Sequence, residues 1–92
     1  MGKIDEKHRV HRIMQAVSKP TGISIEDMIG SSRFTPVVEA RRVAMVLIRK
    51  TLGLTLVGTG RYFNKDHATV LHAEKKHQDL MDIDKNYRED YS

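Results

Sequence analysis

The stretch Lys65-Asp66-His67-Ala68-Thr69-Val70-Leu71-His72-Ala73 decides the fold. Asp66 is a strong helix N-cap, because its carboxylate reaches N–H groups that the first helical turn leaves unpaired. The helix it opens is expected to run to about Leu80. Val70 and Leu71 are read as its first core-facing positions, which leaves Asp66, His67, Ala68 and Thr69 as an exposed first turn. A short helix precedes it, capped by Thr55 and reaching about Tyr62, with Phe63-Asn64-Lys65 as a tight connection. Two helices joined this way form a helix-turn-helix, whose second helix lies in the major groove with its N-terminal residues at the base edges. The first turn has the matching chemistry. Asp66 accepts from a cytosine amine, His67 donates to a purine or phosphate, and Ala68 and the Thr69 methyl suit a thymine methyl.

Upstream, Ile4, Val10, Ile13, Met14 and Val17 recur at helical spacing and predict an amphipathic helix from Ile4 to Ser18. Lys19-Pro20-Thr21-Gly22 is expected to end it, since the residue before a proline is pushed out of the α region and Gly22 accepts positive φ. Ser24 caps a short helix through Ile29, with Asp27 in the capping-box position and Gly30 closing it. Ser31-Ser32-Arg33-Phe34 is a loop carrying one arginine and one exposed aromatic. Thr35 as N-cap and Pro36 at the first helical position start a long helix to about Leu52, stopped by Gly53. Val43, Met45, Val46, Leu47 and Ile48 make that helix the central, most buried element, with Arg41, Arg42, Arg49 and Lys50 as its polar markers. Residues 81–92 form a charged tail or short helix. In it Ile83, Tyr87 and Tyr91, four apart, suit light docking on the domain or fraying. The reading is one all-α domain over 92 residues.

The net charge is +4 with five histidines uncounted. Its distribution says more than its size: residues 31–65 hold seven Lys or Arg against Glu39 alone. A positive middle points to a polyanionic partner. Cysteine is absent, so disulfides and thiolate metal sites are excluded. The stretch from Val43 to Gly60 is broken by Arg49-Lys50 and does not suit a bilayer. The charged start lacks the apolar run of a signal peptide, and Glu6 stands where a myristoylation motif has Ser or Thr. A cytoplasmic, nucleoid-associated location is expected, and the start of the chain favours a free-standing protein from a phage or mobile element.

Residues 65–73 also closely resemble the signature of the C-terminal DNA-binding domain of the bacterial replication initiator DnaA, which reads roughly Gly-Gly-Arg-Asp-His-Thr-Thr-Val-x-His-Ala. The resemblance extends back through Ala44-Met45-Val46-Leu47, Leu54-Thr55-Leu56, Gly60 and Phe63, and weakly forward into Arg88-Glu89-Asp90-Tyr91, spanning Val10 to about Tyr91. It implies a Trp-repressor-like helix-turn-helix that binds double-stranded DNA. By its residue matches, Asp66, His67, Ala68 and Thr69 take base-reading places, with Thr69 at a phosphate or base. Arg33 falls where an arginine enters the adjacent minor groove. Arg41, Arg42, Arg49 and His72 match phosphate or backbone contacts, Leu56-Val57 match a pair at the duplex edge, and Lys65 joins the phosphate set. The chain departs from the pattern at Ala68, which lacks a hydroxyl, and at Asn64-Lys65, a shortened turn. It departs again at Arg33-Phe34, where the basic loop is thinned, and at Glu39-Ala40, where the family has Arg-Pro. These changes point to a related DNA site rather than the family's own.

No cofactor, metal, membrane or nucleotide is expected. Gly58-Thr59-Gly60 is followed by no Gly-Lys-Ser/Thr, so it is no phosphate cradle. His67, His72 and His77 are five apart, about 140° around a helix, and do not share a face. His8 and His11 have chelating spacing but no third ligand. Neither a Ser-His-Asp nor a paired-carboxylate arrangement stands out, so catalysis is not expected. The leading function is sequence-selective duplex binding in replication-origin recognition or transcription regulation. The alternatives are a protein-interaction module that docks on a replication or transcription protein, and non-specific architectural DNA binding.

Overall fold

The computed structural model describes residues 3–83 and 88–89. Among the described residues five helices follow in order: α1 (Lys3–Thr21), α2 (Ile25–Ile29), α3 (Thr35–Leu52), α4 (Leu56–Arg61) and α5 (His67–Ile83). No strand occurs among the described residues.

The hub is α3, which packs against each of the other four helices. Val37, Ala40, Val43, Ala44, Met45 and Ile48 are buried along it, covering more than one face, as its apolar run implies. Around it close Val10, Met14 and Val17 from α1, Met28 from α2, Phe63 from the turn and Val70 from α5. Apart from Val37, these side chains form one continuous core. Removing their apolar surface from water is the main stabilising term, at about 25 cal/mol per Å².

Helix starts follow the side-chain chemistry. Ser24 Oγ accepts from Asp27 N at 3.1 Å and Thr55 Oγ1 from Gly58 N at 2.9 Å, so both act as the expected N-caps. Gly53 ends α3 in the left-handed region, φ 66°, and its N–H donates to Arg49 O at 2.9 Å. That conformation suits glycine.

Four boundary or packing details differ from expectation. Helix α1 continues through Pro20 to Thr21. Proline deletes only one hydrogen bond at so late a position, and Thr21 Oγ1 donating to Val17 O at 2.7 Å and Gly22 N to Ser18 O at 2.9 Å close the end instead. Gly22 does take the positive φ, 71°. Thr35 is the first residue of α3 rather than its cap. Phe34 occupies the N-cap with no side-chain capping bond, and its carbonyl accepts from Val37 N and Val38 N. Leu71 does not point into the core and is 43% exposed, whereas its neighbour Val70 is fully buried. At the far end α5 extends to Ile83, which is 82% exposed and does not dock. Tyr87 and Tyr91 lie outside the described residues.

Candidate nucleic-acid interface

The turn between α4 and α5 is built on Gly60. Its carbonyl accepts from Phe63 N and Lys65 N, both at 2.9 Å, folding the chain back over the end of α4. A side chain at Gly60 would strike the Lys65 carbonyl and meet Asp66 O at 3.2 Å. Only glycine leaves room for the turn to pass so close. Asn64 takes φ 56°, the left-handed region that asparagine tolerates better than most residues. Phe63 inserts fully into the core. These features fix where α5 begins.

At that start Asp66 Oδ1 accepts from Thr69 N at 2.9 Å and from Thr69 Oγ1 at 3.0 Å. The Asp66 carboxyl is held below the usual carboxylate range, first by the Thr69 backbone bond and then by the Thr69 hydroxyl. It is therefore charged at neutral pH. Thr69 donates its hydroxyl proton to Asp66 and is itself exposed. Asp66, His67, Thr69 and His72 are all exposed, and Ala68 is half-buried.

Thr69, His72, Ala73 and Lys76 lie along one flank of α5. Opposite them Val38, Arg42 and Met45 of α3 complete a groove of about 260 Å³. The floor is apolar and the walls carry Arg42, His72 and Lys76. Lys76 was missed in reading the sequence. Its signal was there, since Thr69, His72 and Lys76 fall at i, i+3 and i+7 and share a helical face. Deeper along the same two helices, burial lowers the His77 pKa, and the positive charges of Arg42 and Lys50 lower it further.

Three of the cations expected at phosphates, Arg41, Arg49 and Lys65, have internal partners. Arg41, only 8% exposed, donates from Nε to Met28 O at 2.7 Å. Its Nη2 lies 3.2 Å from Asp27 O, 3.1 Å from Gly30 O and 3.2 Å from Ser32 O. Burial lowers its pKa, and the surrounding carbonyls accept from its Nε and Nη2. Arg41 thus clamps the α2–α3 loop while also lining the groove between α3 and α5. Arg49 forms a two-pronged pair with Glu74, Nε to Oε2 at 3.0 Å and Nη2 to Oε1 at 3.2 Å, and donates from Nη1 to Leu54 O at 2.7 Å. It ties α3 to α5 with its charge already compensated. Lys65 Nζ donates to Gly30 O at 2.9 Å.

Arg33 is exposed on the loop so clamped. Ser32 Oγ accepts from Phe34 N at 3.2 Å, adding a local bond beneath it. Leu56 is half-buried against the core, and Val57, the next residue of α4, is 49% exposed. Arg33, the first turn of α5 and the Arg42–Lys76 groove therefore hang on one rigid frame made of α3, the clamped loop and the Gly60 turn.

Two helices linked by a tight turn, the second capped and polar in its first turn and flanked by a basic loop, define a helix-turn-helix domain. The family model for the bacterial DnaA protein helix-turn-helix matches residues 10–76, most of the 92-residue chain, and the chain belongs to that family. The family binds double-stranded DNA.

Proposed function

We propose that this domain binds duplex DNA with sequence preference, laying the first turn of α5 in the major groove and the Arg33 loop in the adjacent minor groove. The observation that carries this reading is the Lys65–Gly30 bond, which holds the loop against the turn so that two readers present together. Asp66, His67, Ala68 and Thr69 face base edges. With its hydroxyl proton engaged by Asp66, Thr69 reads through its methyl, and Ala68 adds a second small apolar contact suited to thymine. Arg42, His72 and Lys76 hold phosphates, and Leu56-Val57 meet the duplex edge. Phosphate contacts supply affinity, and base contacts supply the choice of site.

Selection from a random duplex library at moderate salt tests this. One enriched motif, flattened by His67→Ala, supports it. Affinity without any enriched motif leaves only architectural binding. Binding of this kind serves replication-origin recognition or transcription regulation, and occupancy mapping in cells separates the two by where the bound sites fall.

A further inference from the structure

Phe34 is an exposed aromatic side chain that neither the core nor the proposed base contacts explain. It is 66% exposed, whereas Phe63, the other phenylalanine of the chain, is fully buried. Isolated exposed hydrophobics are ordinary, so exposure by itself decides nothing. Its mounting is less ordinary. The Phe34 N–H donates to Ser32 Oγ, and its carbonyl accepts from Val37 N at 2.9 Å and Val38 N at 3.0 Å. Ser32 O and Gly30 O are in turn held by the Arg41 guanidinium, and Lys65 holds Gly30 O from the other side. The ring stands on a backbone fixed from several directions, so little order is lost when it is buried against a partner. Phenylalanine at an N-cap also forgoes the capping bond that Ser, Thr, Asp or Asn would supply.

The neighbour of Phe34 is Arg33, exposed on the same loop. An arginine beside a rigid apolar side chain is the pairing by which proteins enter the minor groove. The cation seeks the negative potential of a narrow groove, and the apolar group slides between base steps and partly unstacks them. We infer that Phe34 enters the minor groove beside Arg33 as an apolar wedge that opens a base step and bends the duplex toward the major groove. This rests on the duplex-binding reading above. It adds a local DNA distortion, and it favours sites with an easily unstacked TA step under the loop.

The test uses the whole chain with 4-fluorophenylalanine incorporated, which gives two fluorine resonances, one for the core ring and one for the exposed ring. The probe is a short A·T-rich duplex containing TA steps, labelled at both ends for energy transfer. On complex formation at low salt, the exposed resonance should shift and lose its H2O/D2O isotope effect while that of Phe63 stays in place. The duplex should bend by at least about 20°. Phe34→Ala should melt at the wild-type temperature yet leave the duplex nearly straight, and Phe34→Leu should keep most of the bend. A complex in which the exposed ring stays solvent-sensitive, or in which Phe34→Ala bends DNA as wild type does, overturns the wedge and leaves duplex binding intact. Failure of the wild-type chain to bind this duplex at low salt overturns both.

Discussion

Lys65 Nζ donates to the Gly30 carbonyl over 2.9 Å, and Arg41 Nη2 donates to the same oxygen over 3.1 Å. One acceptor thereby joins the turn before α5 to a loop 35 residues upstream, with α3 beneath both through Arg41. The relative placement of Arg33 and the α5 first turn follows from this junction.

If Lys65 acts by holding the Arg33 loop, its effect on DNA affinity depends on Arg33. A double-mutant cycle with Arg33→Ala and Lys65→Met should show a coupling energy between about 0.5 and 3 kcal/mol. Additivity within about 0.5 kcal/mol, measured by titration at fixed salt, would mark Lys65 as an independent phosphate contact.

Arg42 and Lys76 line the groove beside Thr69 and His72, whereas Arg49 is already paired with Glu74. Arg42→Ala and Lys76→Ala should each reduce the slope of log affinity against log salt by about one unit. Arg49→Ala should leave that slope nearly unchanged and lower the melting temperature instead. The reverse pattern in salt titrations would return Arg49 to the interface.

Gly60→Ala places a methyl group against the Lys65 carbonyl. Backbone is a poor yielder, so the turn must open. Thermal or urea denaturation should show a loss of about 1–3 kcal/mol, the usual range for an overpacked site. Wild-type stability would mean that the turn relaxes without strain.

Thr59 Oγ1 is fully buried with no hydrogen-bond partner among the described residues. Thr59→Val keeps the shape and removes the unpaired hydroxyl, so it should stabilise the domain by about 1 kcal/mol. Equilibrium unfolding reads this directly, and a destabilised variant would show that the hydroxyl has a partner.

Tyr62 Oη donates to Glu6 Oε1 over 2.6 Å. Burial, then the Glu6 hydrogen bond and the Glu6 charge, push the Tyr62 pKa up from 10.0 to about 12. A raised pKa contributes stability that is fully present below the unfolded value and is lost as pH rises through the folded one. Stability should therefore decline between pH 10.0 and about 12 through this group. Tyr62→Phe should remove that decline along with the link between α1 and α4, and an identical alkaline profile in the variant would exclude Tyr62 as its source.

How much of this was legible in the sequence depended on how local the cause was. The caps at Ser24, Thr55 and Asp66 involve residues three apart, and side-chain chemistry alone located them. Arg41 could not be read that way. Its acceptors at Met28, Asp27, Gly30 and Ser32 lie 9 to 14 residues away, and only the folded path of the loop brings four carbonyls round one guanidinium. From sequence it was one more cation on a basic helix. Arg49 concealed its pairing for the same reason, with Glu74 on another helix 25 residues on. Leu71 was misplaced because two adjacent apolar residues on a helix are 100° apart, and only one of them faced α3. Lys76 was not legible as a groove residue because the groove forms only where α3 packs beside α5.

The central claim is that α5 and the Arg33 loop read adjacent grooves of one duplex. Dimethyl sulfate probing of a duplex recovered by selection tests it most directly, since the reagent methylates guanine N7 in the major groove and adenine N3 in the minor groove. Protection of guanine N7 under α5 and of adenine N3 immediately beside it is expected, with Arg33→Ala abolishing only the adenine protection. Protection confined to one groove, or adenine protection that survives Arg33→Ala, would contradict it.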